Sequence, residues 1–267
     1  MSQKIIAFSG VKQSGKTTCL NFLHGCVLKR NDVIEKFFVD EETGSIMVNT
    51  ISQDETGEDV KSMGNVDFGR TDDEFIEYAH INIWPFIKPY NFADPLKNIA
   101  MNLFGLTYAQ CYGSDKDKNS KTNIKWEDMP ENFMVEFDKE YYDIVPEKNG
   151  IMSSREFLQH FGTNICRKIH NNVWVETCIK RIKNEQTEFA IIGDCRFENE
   201  VEAIQKAGGK VIRLTRRTAN DLHASETALD KENFDWDKFD LIIDNKNMSI
   251  NECNKALFEA LQNWGWF

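Results

Sequence analysis

The sequence predicts an α/β protein: a mostly parallel β-sheet with helices on both faces, formed by a single domain over 1–267 that carries an inserted β-hairpin. Two observations support this. The apolar run Lys4–Phe8 leads into a Gly- and Ser-rich stretch, Ser9–Thr17, and then into a helical pattern through about Leu28. From Ser154 onward helix and strand patterns alternate, and parallel strands need crossover helices to connect them.

The elements follow in order. Phe37–Asp40 and Ile46–Ile51 flank the turn Glu41-Glu42-Thr43-Gly44 and read as a hairpin, with acidic loop over Ser52–Glu74; residues 36–75 are taken as an insertion. A strand is expected within Ala79–Ile87, and Asp94-Pro95 opens a helix with proline in its first turn. Residues 116–150 read as polar loop with short helices around Trp126. Beyond them the pattern gives helices over 155–169 and 173–183, strand Phe189–Gly193, helix 197–207, strand Lys210–Thr215, a polar loop over 216–236, strand Leu241–Asp244 and helix 249–262.

Composition narrows the function. At 267 residues, 41% hydrophobic and 28% charged, the chain needs no metal or disulfide to hold its core. No apolar run approaches the ~20 residues of a membrane span, so no membrane partner and a cytoplasmic location are expected. The seven cysteines include no C-x-x-C pair and read as reduced thiols. A net charge of −11 argues against nucleic acid as a partner. Thirteen acids against three bases between Asp32 and Glu74 account for most of it, whereas seven of the nine arginines fall between Arg155 and Arg217, as in a phosphate-handling half. A homodimer is carried as an expectation.

Gly10-Val11-Lys12-Gln13-Ser14-Gly15-Lys16-Thr17 matches G-x-x-x-x-G-K-[ST], the P-loop, and lies between a strand and a helix as the mechanism requires. The glycines let consecutive N–H groups and the helix N-terminus surround phosphate oxygens. Gly10, Lys12, Ser14, Gly15, Lys16, Thr17 and Thr18 are therefore the expected residues for binding a nucleoside triphosphate, with Lys16 on the β and γ phosphates and the Thr17 hydroxyl on Mg²⁺.

Helix 155–169 presents two stripes at about 100° per residue: apolar Leu158, Phe161, Ile165 and Ile169, and a second made of Arg155, Gln159, Gly162 and Cys166. The second suits a phosphate and a base lying across the helix; a surface salt bridge is the alternative for Arg155. Ile191-Ile192-Gly193-Asp194 is an apolar strand ending in an acid, fit for a Mg²⁺-bound water, the acceptor or a helix N-cap, with Arg196 two residues on. The loop 216–236 holds Arg216, Arg217, His223, Ser225 and Glu226, and reads either as a lid carrying an arginine onto the transferring phosphate or as a plain basic loop.

Ser9–Thr17, Phe92-Ala-Asp-Pro-Leu-Lys97, Arg155 with Leu158-Gln159 and Gly162-Thr163, Trp174-Val175, Asp194-Cys-Arg-Phe-Glu-Asn-Glu200 and Ser225-Glu226-Thr227 together resemble the deoxynucleoside monophosphate kinases of tailed bacteriophages. The likeness covers most of the chain. It implies a nucleoside monophosphate kinase-like fold and transfer of the γ phosphate of ATP, with Mg²⁺, to a deoxynucleoside 5′-monophosphate, in the service of dNTP supply. It also implies that Leu96, Lys97, Arg155, Gln159, Gly162, Thr163, Trp174, Asp194, Arg196 and Glu200 form the acceptor site; with Lys16 from the P-loop and Arg216 from the lid reading, Arg155, Asp194 and Arg196 are the residues expected to carry the chemistry. Lys118 stands where the family carries arginine, and a point cation cannot make the bidentate contact.

Three rivals share the P-loop. A regulatory GTPase needs D-x-x-G and N-K-x-D; Asp54-Glu55-Thr56-Gly57 fits the first, but Asn245-Lys246-Asn247-Met248 lacks the final aspartate. A P-loop kinase for another small acceptor and a non-catalytic nucleotide-binding protein complete the set.

Overall fold

The computed structural model describes residues 3–53, 57–70, 72–130, 132–138, 141–145, 147–217 and 227–267. Asp54–Thr56 of the D-x-x-G sequence, and His223, Ser225 and Glu226 of the 216–236 loop, lie outside them. The contacts divide the chain into two compact units, one of residues 1–92 and 178–267 and the other of 93–177.

The first unit is built on a five-stranded sheet. Its strands are β1 (Lys4–Ser9), β5 (Ile87–Tyr90), β10 (Phe189–Cys195), β11 (Lys210–Leu214) and β12 (Leu241–Ile243), in the order β12-β11-β1-β10-β5. All four pairings are parallel. β1 is central, and its continuous apolar run is what a strand covered on both faces requires. Ile6 and Phe8 join Leu23 and Val27 of α1 (Lys16–Arg30), Ile191, Ile212 and Leu257 in one buried core. Helix α9 (Glu198–Lys206) forms the β10–β11 crossover, and α10 (Ile250–Asn263), capped by Ser249 and Glu252 in a reciprocal box, follows β12. Among the described residues no helix is long and apolar enough to cross a membrane.

The hairpin is present as β2 (Phe37–Val39) and β3 (Ile46–Gln53), but the expected loop over Ser52–Glu74 is corrected. A third strand, β4 (Asp59–Val66), pairs with β3 along its whole length. β4 exposes Val60 and Met63 along with Asp59, Lys61 and Asn65, so the alternation of apolar and polar side chains that marks a strand is blurred. The strand expected within Ala79–Ile87 is also corrected: α2 runs over Asp73–Asn82, and β5 starts only at Ile87. Asp72 caps α2 by accepting from Phe75 N at 3.1 Å, and Phe75 and Ala79, one turn apart, are the buried pair. β5 contains Pro89, which would break a central strand but is tolerated at the sheet edge where β5 lies.

The second unit begins with α3 (Asp94–Phe104), α4 (Tyr108–Tyr112) and α5 (Asp115–Lys118). Four strands missing from the sequence expectation for 116–150 and just beyond follow in two antiparallel pairs. β6 (Lys121–Lys125) pairs with β9 (Ile151–Ser153), and β7 (Met134–Asp138) with β8 (Tyr141–Val145); a short 3₁₀ turn covers Trp126–Asp128. The helix expected over 155–169 is three pieces: α6 (Ser154–Gln159), a π-helical stretch (His160–Cys166) and α7 (Arg167–Ile169). The wider π turn resets the angular register, so the predicted apolar stripe fails at its end: Ile169 is 81% exposed. The fully buried anchor is Phe157, whose ring stacks on Phe161 at 5.4 Å. Helix α8 (Val173–Glu185) returns the chain to the first unit.

Candidate functional site

The loop from β1 to α1 has the backbone its glycines allow. Gly10 and Gly15 take φ of 154° and 101°, and a Cβ on Gly10 would collide with the Ser14 hydroxyl. Gly15 is the N-cap of α1, so the helix offers its first N–H groups where the loop ends. The Lys16 ammonium donates to the carbonyls of Gly10 and Val11 at 2.7 Å each, and its side chain thus lies back along its own loop. An arriving phosphate would compete with these carbonyls for the same charge.

The loop is braced from the neighbouring strands. Asn245, just past β12, donates from Nδ2 to the Ser14 carbonyl at 2.8 Å, while its Oδ1 accepts from Arg216 N at 2.8 Å. The Arg216 guanidinium donates to the carbonyls of Asn245 (3.1 Å) and Met248 (2.7 Å). Arg213, 5% exposed, donates to Ser9 Oγ at 2.9 Å and pairs with Asp230 at 3.1 Å, and burial lowers its pKa. Arg217 pairs with the other oxygen of Asp230 at 3.1 Å. Three of the clustered arginines, Arg213, Arg216 and Arg217, therefore hold neighbouring segments, and Arg216 also lines the cavity beside the loop; Arg181 forms a one-turn surface pair with Glu185.

A cavity of about 450 Å³ opens on the loop. Residues 13–18 line it, together with the β2–β3 turn (41–44), Arg216 and residues 248–250. Of the predicted ATP-site residues, Ser14, Gly15, Lys16, Thr17 and Thr18 line this cavity, as does Arg216. Sequence reasoning missed Asn245 and the turn. The buried loop asparagine had only its failed N-K-x-D match to mark it, and Glu41–Gly44 had only its hairpin signal.

Asp194 lies within β10, one residue before the Ser9–Cys195 register pair, at the carboxyl end of the sheet where ligands of open α/β sheets bind. Its Oδ1 accepts from Phe92 N at 3.1 Å, which ties down the chain leaving β5. The N-cap alternative for Asp194 is corrected, because β10 continues through Cys195 and Phe197 occupies the cap of α9. Glu200 does the capping: 2% exposed, it accepts from Arg196 N (2.7 Å) and Phe197 N (3.1 Å). Arg196 is thus held by its backbone at the start of the helix.

In the second unit the predicted acceptor residues are connected. Ser153 and Glu156 form a capping box that starts α6, and Ser154 Oγ donates to the Lys118 carbonyl at 2.8 Å, joining α6 to α5. Arg155 pairs with Asp115 on α5 at 2.8 Å and stays 37% exposed; Gln159 and Thr163 are exposed too. Gly162 meets α3 so closely that a Cβ there would lie 2.6 Å from Leu96 Cδ2, and its carbonyl accepts from Trp174 Nε1 at 3.2 Å. The Lys97 ammonium sits 4.0 Å over the Tyr112 ring. Leu96, Lys118, Arg155, Gly162 and Trp174 are therefore linked through one framework, with Cys166 half-buried along the π stretch.

A glycine loop at the carboxyl end of the central parallel strand, with a lysine and a threonine opening the helix into a cavity, defines a P-loop nucleotide-binding protein of the α/β class. The chain belongs to the deoxynucleotide monophosphate kinase family, whose profile matches residues 4–256. It is similar to a protein of Acanthamoeba polyphaga mimivirus, provisionally named a deoxynucleotide monophosphate kinase, with 25% identity over 182 residues, covering 65% of this chain and 82% of that relative. The chain is accordingly a kinase of the nucleotide class, and its substrates are nucleotides.

Proposed function

We propose that the P-loop cavity holds ATP with Mg²⁺, and that the γ phosphate passes to the 5′-phosphate of a deoxynucleoside monophosphate bound through the second unit's residues. An acceptor phosphate oxygen bonds to the γ phosphorus, the bond from that phosphorus to the β–γ bridging oxygen breaks, and ADP leaves. The observation behind the donor assignment is the cavity itself, onto which Ser14, Gly15, Lys16 and Thr17 all open. Thr17 offers a hard hydroxyl oxygen there, which suits Mg²⁺, an ion bound through few protein ligands plus phosphate oxygens. The ion would neutralise charge on the phosphates. Lys16 would do the same between β and γ, with Gly10 and Lys12 completing the loop.

Arg155 is proposed to hold the acceptor phosphate, with Gln159, Thr163, Lys97 and Lys118 around it; what supports this is its part-exposed guanidinium, steadied by Asp115. Asp194 and Arg196 are proposed to serve the acceptor from the sheet edge, and Glu200 to position them by fixing the start of α9. Arg216 is proposed to act on the donor side, since it lines the P-loop cavity. A coupled assay of ADP release with a panel of deoxynucleoside monophosphates, other nucleotides and unrelated small acceptors tests the reading. Turnover should need ATP, Mg²⁺ and a deoxynucleoside monophosphate. Lys16→Ala should fold normally and lose more than tenfold in rate; activity within tenfold of wild type would refute the role of Lys16.

A further inference from the structure

The three-stranded insert reaches the nucleotide cavity with its first turn. Asp40 shapes that turn, accepting through Oδ1 from Glu42 N (3.2 Å), Thr43 N (2.7 Å) and Thr43 Oγ1 (2.7 Å). The turn is pinned on two sides. Asn21 of α1 donates to the Gly44 carbonyl at 2.9 Å, Gly44 packs so tightly on Thr18 that a Cβ there would collide with the Thr18 hydroxyl, and Asn251 of α10 donates to the Glu41 carboxylate. Glu41 and Glu42 both line the cavity, yet only Glu41 is occupied by this anchoring; the Glu42 carboxylate has no partner among the described residues.

A carboxylate beside a triphosphate is repelled unless it meets a cation or a hydrogen-bond donor. The anchors at Thr18 and Asn21 lie beyond Thr17 along α1, away from the Lys16 end that takes the β and γ phosphates. Met248 and Ile250, on the same cavity, offer apolar surface for the face of a base. Two partners meet that need, the Mg²⁺ proposed at Thr17 and the sugar, whose hydroxyls are donors that acids accept in other nucleotide-binding folds; the anchoring of the turn beyond Thr17 favours the sugar.

We propose that Glu42 reads a ribose hydroxyl of the donor nucleotide, so that the insert makes this kinase prefer a ribonucleoside triphosphate as donor while it phosphorylates deoxynucleotides. This rests on the P-loop cavity being the donor site. Glu41 is a positioning residue that holds the turn against α10.

Isothermal titration without acceptor, at fixed Mg²⁺, compares ATP, 2′-deoxy-ATP, 3′-deoxy-ATP and inorganic tripolyphosphate on the full chain and on Glu42→Ala and Glu42→Gln. Wild type should bind ATP about tenfold more tightly than at least one deoxy analogue, as for a hydrogen bond to a charged acceptor. Glu42→Ala should erase that difference, with tripolyphosphate affinity changed less than twofold. Glu42→Gln, which keeps an acceptor oxygen, should retain part of it. Discrimination unchanged in Glu42→Ala, loss of affinity for all four ligands alike, or loss restored by excess Mg²⁺ would each overturn the proposal. If Lys16→Ala binds ATP as well as wild type does, the donor assignment itself falls, and that failure is read independently of Glu42.

Discussion

The Asn245 side-chain amide donates to the Ser14 carbonyl at 2.8 Å, which ties the P-loop to the last strand of the sheet. The asparagine is 2% exposed, and its oxygen takes the Arg216 amide, so both halves of one side chain are used. Asn245→Ala would leave two partially or fully buried backbone groups without partners. It should cost roughly 2–3 kcal/mol of stability, measured by urea denaturation. ATP should also bind more weakly, because the loop must be ordered at the moment of binding. A variant with wild-type stability and ATP affinity would show that the brace contributes nothing.

Gly162 and Leu96 set the distance between the π-helical stretch and α3. Gly162→Ala would bring its Cβ to 2.6 Å from Leu96 Cδ2 and should cost about 1–3 kcal/mol by overpacking. Combined with Leu96→Ala, which removes the clashing atom, the two changes should be less damaging together than the sum of their single effects. Additive losses in thermal denaturation would mean that the clash is relieved elsewhere.

Arg155 tests the acceptor assignment. Its pair with Asp115 is largely exposed, so by itself it adds little to stability. Arg155→Lys should therefore leave the melting temperature nearly unchanged, while loss of a bidentate phosphate contact raises the deoxynucleotide KM about tenfold or more. ATP affinity should hold. An equal loss for ATP would move Arg155 to the donor side.

Where hydrophobic pattern and glycine chemistry acted together, the sequence was legible: β1, the P-loop, α1 and the parallel strands β10 to β12 follow from apolar runs and crossover spacing. The family resemblance also singled out Leu96, Lys118, Arg155, Gly162 and Trp174, which contacts in the second unit link. What escaped is local and has physical causes. β4 mixes apolar Val60 and Met63 with polar residues on its exposed positions, β5 contains a proline that only an edge position tolerates, and the π turns after Gln159 break the 3.6-residue period on which the stripe of 155–169 depended. The role of the 41–44 turn was illegible because its contacts to Thr18, Asn21 and Asn251 are made across the fold; only Asp40 and Gly44, which shape the turn, are local signals.

His24 makes a prediction about pH. It sits in α1, 2% exposed, stacked on Phe68 at 3.9 Å, with Nδ1 2.9 Å from the Leu20 carbonyl. Nε2 has no partner among the described residues, so the ring has nowhere to place a second proton. Burial lowers its pKa from 6.5 to about 4, the bond to Leu20 offsetting this only in part. Between those values the unfolded chain binds a proton that the folded chain does not; stability therefore rises with pH across this window and is lost as pH falls from 6.5 toward 4. Lowering the pH from 7 to about 4.5 should remove about 2–3 kcal/mol through this residue alone. Carboxylates begin to titrate at the acid end as well, so the informative comparison is between wild type and His24→Leu by chemical denaturation at each pH. The variant should lose its steep dependence between pH 6.5 and 4.5 even if it is less stable at pH 7; parallel curves would show that His24 does not report on folding.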